Sequence, residues 1–181
     1  MELKTQDNPK IDPTQQTELK ELEEALEKAT NLILLGNYNQ ALEVCKDSVE
    51  YAKLTVNCIR VGVANLQTLM GNIYWRKVLE KESLSILHEA LASLEDIYGK
   101  EHIKLAKVLN ELSFVYHLES NYTKASLYAN RAMKIMTNAG EKWHLELARA
   151  YENHAAILRE QEKFDENIEY FKKALEIKER Y

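Results

Sequence analysis

The chain carries one pattern four times at a spacing of 42 residues, with nothing inserted or deleted. Small residues recur at Ala29, Gly71, Ser113 and Ala155, and three positions later stand Leu32, Tyr74, Tyr116 and Leu158. A second column reads Tyr38, Glu80, Tyr122 and Phe164. A third reads Ala41, Ser83, Ala125 and Asn167, and a fourth Ser48, Ala90, Ala132 and Ala174. A fixed period of this size specifies a stack of helical units, each unable to bury its apolar face alone, rather than one closed core.

Within each unit the apolar residues fall at helical spacing. Leu19, Leu22, Leu26, Ala29 and Ile33 lie on one stripe, with Asp12-Pro13 as a start signal and Gly36-Asn37 as a stop. Tyr38–Tyr51 is the return helix. The same hairpin is predicted at about 64–77 with 80–97, 105–118 with 122–137, and 147–161 with 164–180. Small residues at the crossing points let two helix backbones approach closely. In the second unit Val78-Leu79-Glu80 replaces the glycine-led turn, which predicts a tilted hairpin there. No heptad persists long enough for a coiled coil. Residues 1–12 read as a flexible arm and 13–181 as one four-repeat domain, with units at about 22–63, 64–105, 106–147 and 148–181.

Charge and residue usage narrow the function classes. The net charge is −5, and no Lys/Arg block is present. Binding to nucleic acid is mostly phosphate neutralisation, so a nucleic-acid partner is not expected. No apolar run approaches the roughly 20 residues of a membrane span. The start of the chain lacks the pattern of a signal peptide. Cys45 and Cys58 are too few and too far apart for a disulfide framework or a zinc site, and Cys45 shares its column with Leu87, Ala129 and Phe171, as a buried small hydrophobe would. The five histidines fall in different units with no metal-ligand spacing, and no phosphate loop or activated nucleophile is visible. His154, in a column with Met70 and Leu112, reads as a packed, hydrogen-bonded histidine. The expectation is a soluble cytoplasmic protein without catalytic activity, cofactor or metal.

Repeat stacks usually close with a polar terminal helix. In the fourth return helix Tyr170, Phe171, Ala174 and Ile177 lack a following helix in the pattern. That predicts a partner on this face, self-association, or solubility maintained by Lys172, Lys173 and Lys178.

The columns resemble the tetratricopeptide repeat. Gly36-Asn37-Tyr38-Asn39-Gln40-Ala41-Leu42 and Asn121-Tyr122-Thr123-Lys124-Ala125 match its inter-helix turn, and Ala132-Met133-Lys134-Ile135 and Ala174-Leu175-Glu176-Ile177 its second-helix ending. The usual period is 34. The 42-residue spacing, with Ile97-Tyr98-Gly99-Lys100-Glu101-His102 as linker, is more similar to the kinesin light chain variety. The closing proline of each repeat is absent, and no long coiled coil precedes the repeats, so the resemblance extends to the repeat type and not to the motor subunit.

The resemblance implies an all-helical right-handed solenoid of four antiparallel hairpins, whose first helices line a concave groove for a peptide or helix of a partner protein. Carried over to this sequence, the groove residues are Asn65, Thr68, Asn72, Trp75, Arg76, Lys107, Asn110, Phe114, His117, Arg149, Glu152, Asn153 and Arg159, preceded by Glu23, Glu27 and Thr30. Asn72 and Asn110 suit a peptide backbone, Arg76, Lys107 and Arg149 an acidic segment, and Trp75 and Phe114 an apolar anchor. The carboxylate clamp of chaperone-tail binders is not matched. Thr68 stands in place of its first lysine, and Glu111 stands where an asparagine belongs and would repel a carboxylate. The expected role is a protein-interaction adaptor or scaffold. The alternative is a structural subunit of a cytoskeletal, ciliary or other assembly, joined through the C-terminal face as a homo-oligomer or hetero-complex.

Overall fold

A capping box opens the first helix. The Asp12 carboxylate accepts from the Gln15 amide at 2.9 Å, Gln15 Oε1 accepts from the Asp12 amide at 3.1 Å, and Pro13 fills the first helical position. In the computed structural model, which describes residues 12–52 and 57–180, eight helices follow in order. They are α1 (Pro13–Leu34), α2 (Tyr38–Tyr51), α3 (Asn57–Arg76), α4 (Glu80–Tyr98), α5 (Ala106–Leu118), α6 (Tyr122–Ala139), α7 (His144–Glu160) and α8 (Phe164–Arg180). Single 3₁₀ turns at Ile103–Leu105 and Glu141–Trp143 lead into α5 and α7. The expected N-terminal arm, apart from Asp12, lies outside the described residues.

Consecutive helices pair as α1·α2, α3·α4, α5·α6 and α7·α8, and each first helix packs on both helices of the preceding hairpin. The result is an all-helical, right-handed superhelical solenoid. Its core forms two clusters, with α3 contributing to both. Leu22, Ala29, Ala41 and Cys45 meet Ile59, Leu66 and Ile73 at one end, and Leu87, Leu94, Leu109, Leu112, Ile135 and Ile157 carry the core onward. Burial pushes the Cys45 thiol up to about 12, so it stays protonated as a packing group. Two first helices start earlier than their sequence spacing suggests. α3 begins at Asn57 because Ile59 is fully buried against the first hairpin, and α7 begins at His144.

The small-residue columns meet where the helices cross. Gly71 lies so close to Leu87 that a Cβ there would stand 2.5 Å from its side chain. In three hairpins the crossing also carries a buried hydrogen bond between residues 12 apart. Ser83 Oγ donates to the Gly71 carbonyl at 2.8 Å, Ser113 Oγ to the Ala125 carbonyl at 2.9 Å, and Asn167 Nδ2 to the Ala155 carbonyl at 2.5 Å. The donor switches from second to first helix and back while the pair of positions stays fixed. Asn167, the outlier of its column, is accommodated because its amide makes this bond. The first hairpin has Ala29 against Ala41 and relies on close packing alone.

All four hairpin turns share one backbone. Gly36, Val78, Ser120 and Glu162, each 42 residues from the next, have φ of 77°, 60°, 57° and 60°. The turn hydrogen bonds repeat as well: Gly36 N–H to Ile33, Val78 to Trp75, Ser120 to His117 and Glu162 to Arg159. The expected tilt of the second hairpin is therefore not found at its turn. Val78 adopts the left-handed conformation that glycine takes in the first unit, at a cost in backbone strain.

Candidate functional site

The first helices α3, α5 and α7 bring repeat-equivalent residues into rows. Asn65, Lys107 and Arg149 form one row, Thr68, Asn110 and Glu152 a second, and Trp75, His117 and Arg159 a third. Lys107, Arg149 and Arg159 are exposed, while Asn65, Asn110, Asn153 and His117 are half-buried. Between α3 and α5 the rows converge on Glu111. Its carboxylate accepts from Asn72 Nδ2 at 3.1 and 3.2 Å and from Trp75 Nε1 at 3.2 Å. Asn72 Oδ1 in turn accepts from Arg76 Nε at 3.0 Å, and the Arg76 guanidinium lies 4.5 Å from the Trp75 ring centroid. Phe114 completes the cluster, its ring centroid 4.7 Å from that of Trp75.

This arrangement joins five neighbouring side chains into one preorganised patch. Burial pushes the Glu111 carboxyl above the ordinary glutamate value, while hydrogen bonds from Asn72 and Trp75 and the charges of Lys107 and Arg76 pull it back. Arg76 is thereby held over the indole face in cation–π geometry. Farther along, burial lowers the pKa of His117, with the Arg159–Glu160 ion pair of 3.1 Å as its charged neighbours.

Several expected site residues are placed differently. Thr68 is 2% exposed, and its hydroxyl donates to the Ala64 carbonyl at 2.8 Å, so it belongs to the packing of α3 and not to a binding surface. Asn72 has both ends of its carboxamide engaged by Glu111 and Arg76 and is a structural link rather than an open clamp for peptide backbone. Glu152 is tied across the last hairpin to Lys178 at 2.6 Å. Glu111, expected only to repel anions, organises the patch. The sequence signal for it was a carboxylate on the first helix of the next repeat, 39 and 36 residues beyond Asn72 and Trp75.

The expected end face is also rearranged. Tyr170 packs edge-on against His154 at 4.7 Å and against Tyr151 at 5.6 Å, Ala174 is 1% exposed, and Ile177 is half-buried. Of the four residues named for this face, only Phe171 is exposed. His154 is packed as expected, but its Nδ1 makes no hydrogen bond, and burial lowers its pKa. Among the described residues no three His, Cys, Asp or Glu side chains gather as a metal site, and no helix is long and apolar enough to cross a membrane.

Comparison with known proteins agrees with the fold. Sequence models of the tetratricopeptide repeat family match residues 62–138 and 147–181, together more than half of the chain. No curated protein sequence matches significantly. The crystal structure of BtubC (BKLC) from P. vanneervenii superposes with a TM-score of 0.78 at 18% identity, covering 97% of this chain and 68% of that one. A Podosopora anserina putative kinesin light chain with nearly identical TPR-like repeats gives 0.75 at 15% identity, over 90% of this chain and 77% of that one. Bacillus thuringiensis PlcR, crystallised in complex with the peptide PapR7 and DNA, gives 0.70 at 17% identity, over 89% and 65%. At these identities the likeness is one of fold. With four in-phase helix hairpins, a conserved turn geometry and two matching repeat segments, the chain is a member of the tetratricopeptide repeat family.

Proposed function

We propose that this chain is a non-catalytic interaction adaptor that holds an acidic segment of a partner protein, with an apolar anchor, along the concave face of α3, α5 and α7. The observation that carries this reading is the patch organised by Glu111. It fixes Trp75, Arg76 and Phe114 against one another before any partner arrives, which lowers the ordering cost of binding. Lys107 and Arg149, exposed and one repeat apart, supply positive charge beside it. The structurally similar PlcR was crystallised with a peptide, which supports the choice of a peptide as ligand. No helix among the described residues is long and apolar enough to cross a membrane, which is compatible with the cytoplasmic setting of this reading.

Short peptides with several Asp/Glu residues around a single Leu or Phe provide the probe, read by Trp75 emission in a Trp143→Phe background. Saturable binding that falls at least tenfold in a Lys107→Glu, Arg149→Glu variant supports the reading. Indifference to that double reversal contradicts it. A second reading, a structural subunit of a cytoskeletal or other assembly, is favoured by the exposed apolar residues of α8.

A further inference from the structure

We infer that the partner segment reaches α1 with a basic residue, so that its charges run in a fixed order: basic over α1, the apolar anchor between α3 and α5, acidic over α5 and α7. This rests on the groove reading and adds to it the chemistry of the segment's far end and its orientation across the repeats. One repeat row carries the change of sign. Its members, each 42 residues from the next, are Glu23, Asn65, Lys107 and Arg149, so the row runs from acidic through neutral to basic along the stack. Glu23, Lys107 and Arg149 are exposed, and Asn65 is half-buried.

The charges of this row are open to a ligand, while other groove charges are already engaged. Arg76 bonds to Asn72 and lies over Trp75, Glu152 holds Lys178, and Arg159 pairs with Glu160. Lys107 acts on Glu111 through space, but that carboxylate already accepts from Asn72 and Trp75. On α1, Glu23 and Glu27 are both exposed and stand one turn apart, a like-charge pair that is unfavourable until a cation comes between. Neither enters an ion pair among the described residues. Lys20, a turn before Glu23, pairs with Glu24 at 3.4 Å. Lys28 holds the position of Met70 in α3, which packs in the core with the first hairpin and not in the groove.

Helix spacing sets the register of such a segment. The first helices pack directly on one another as α1·α3, α3·α5 and α5·α7. Helices in contact lie about 8–10 Å apart and an extended chain advances about 3.3 Å per residue, so one repeat step spans about three residues. The Trp75–Phe114 pair that receives the anchor bridges α3 and α5. The basic residue therefore falls about four or five positions to one side of the anchor, and the acidic residues about two and about five positions to the other. A segment acidic at both ends would set a carboxylate against Glu23 and Glu27, the kind of like-charge contact that rejects a wrong partner.

Peptides of this pattern, read by Trp75 emission in the Trp143→Phe background, test the charge order. The first peptide carries Lys at the α1 end, Leu as the anchor and two Glu residues at the other end. In the second the Lys is Gln, and in the third the Lys is moved beyond the two Glu residues. The first should bind the parent about three- to fivefold more tightly than the second, as an exposed ion pair allows, and the third no more tightly than the second. A Glu23→Gln, Glu27→Gln variant, with helical circular dichroism retained, should bind the first and second alike. A Lys preference of the same size on that variant, or a third peptide as tight as the first, overturns the charge order. So does the absence of a Lys preference on the parent; if binding is still lost in the Lys107→Glu, Arg149→Glu variant, the groove reading stands without it. Indifference of all three peptides to that double reversal overturns both.

Discussion

Val78 is the position where sequence and backbone conflict most openly, and replacing it with glycine should stabilise the protein. The residue has φ of 60° in a column whose first member is Gly36 at 77°. A left-handed conformation costs a residue with a Cβ about 1–2 kcal/mol, and a β-branched side chain lies at the upper end. Two effects oppose the gain. Glycine loses roughly 0.5–1 kcal/mol more backbone entropy on folding. Val78 is 74% exposed, so deleting its side chain removes only about 0.5 kcal/mol of burial. The net expectation for Val78→Gly is a stabilisation of roughly 0.5–1 kcal/mol. In a chain of this size that raises the melting midpoint by roughly 1–4 °C, and chemical denaturation should show the same gain. Gly36→Val is the reciprocal test. A Cβ at Gly36 meets nothing within 4 Å, so backbone conformation alone decides the outcome, and a loss of about 1 kcal/mol is expected. Stabilisation absent from Val78→Gly together with a neutral Gly36→Val would refute the shared left-handed turn.

Other consequences follow from buried contacts. Gly71→Ala drives a Cβ to 2.5 Å from Leu87 and should cost about 1–3 kcal/mol, with part of the loss recovered when Leu87 is shortened to Val, as denaturation of both variants would show. Burial depresses the His154 pKa, so the folded state binds its proton less readily than the unfolded chain. Its contribution is fully present above the unfolded value of about 6.5 and is lost as pH falls below it. His154→Leu, which restores the apolar type of its column, should flatten that acid-side loss in a pH series of urea midpoints. Glu111 acts with the opposite sign. Its carboxyl is raised by burial, so its contribution is most favourable below the ordinary glutamate range and declines as pH rises through the raised folded value. Glu111→Gln should remove that decline, and a variant as pH-dependent as the parent would show that burial is not the cause.

The architecture was legible because a 42-residue period, small crossing residues and turn signals all point to stacked hairpins. The start of α3 was not, because Asn57–Gly62 mixes polar and apolar residues, and the helix extends there because Ile59 and Cys58 pack on the first hairpin's core. The turn at Val78 was misjudged for a different reason. Sequence preference favours glycine at such a position, but repeated turn hydrogen bonds and packing on either side impose the conformation regardless. Within the site, Trp75, Arg76 and Phe114 were found together because they share a helix face across adjacent repeats. Thr68 was expected in the groove and Asn72 as a clamp for peptide backbone, since sequence shows which face a polar side chain lies on but not whether a neighbour has already engaged it. Glu111 was hidden by the same limit, its role arising only when Asn72 and Trp75 from the previous repeat converge on it.

The most direct test of the groove as the working surface is an unbiased selection of random peptides on the isolated chain, with Lys107→Glu, Arg149→Glu protein as the counter-selection. The account predicts enriched sequences rich in Asp and Glu around one apolar residue, retained by the parent and lost on the variant. Enrichment of basic or uncharged sequences, or of peptides that bind both proteins equally, would contradict it.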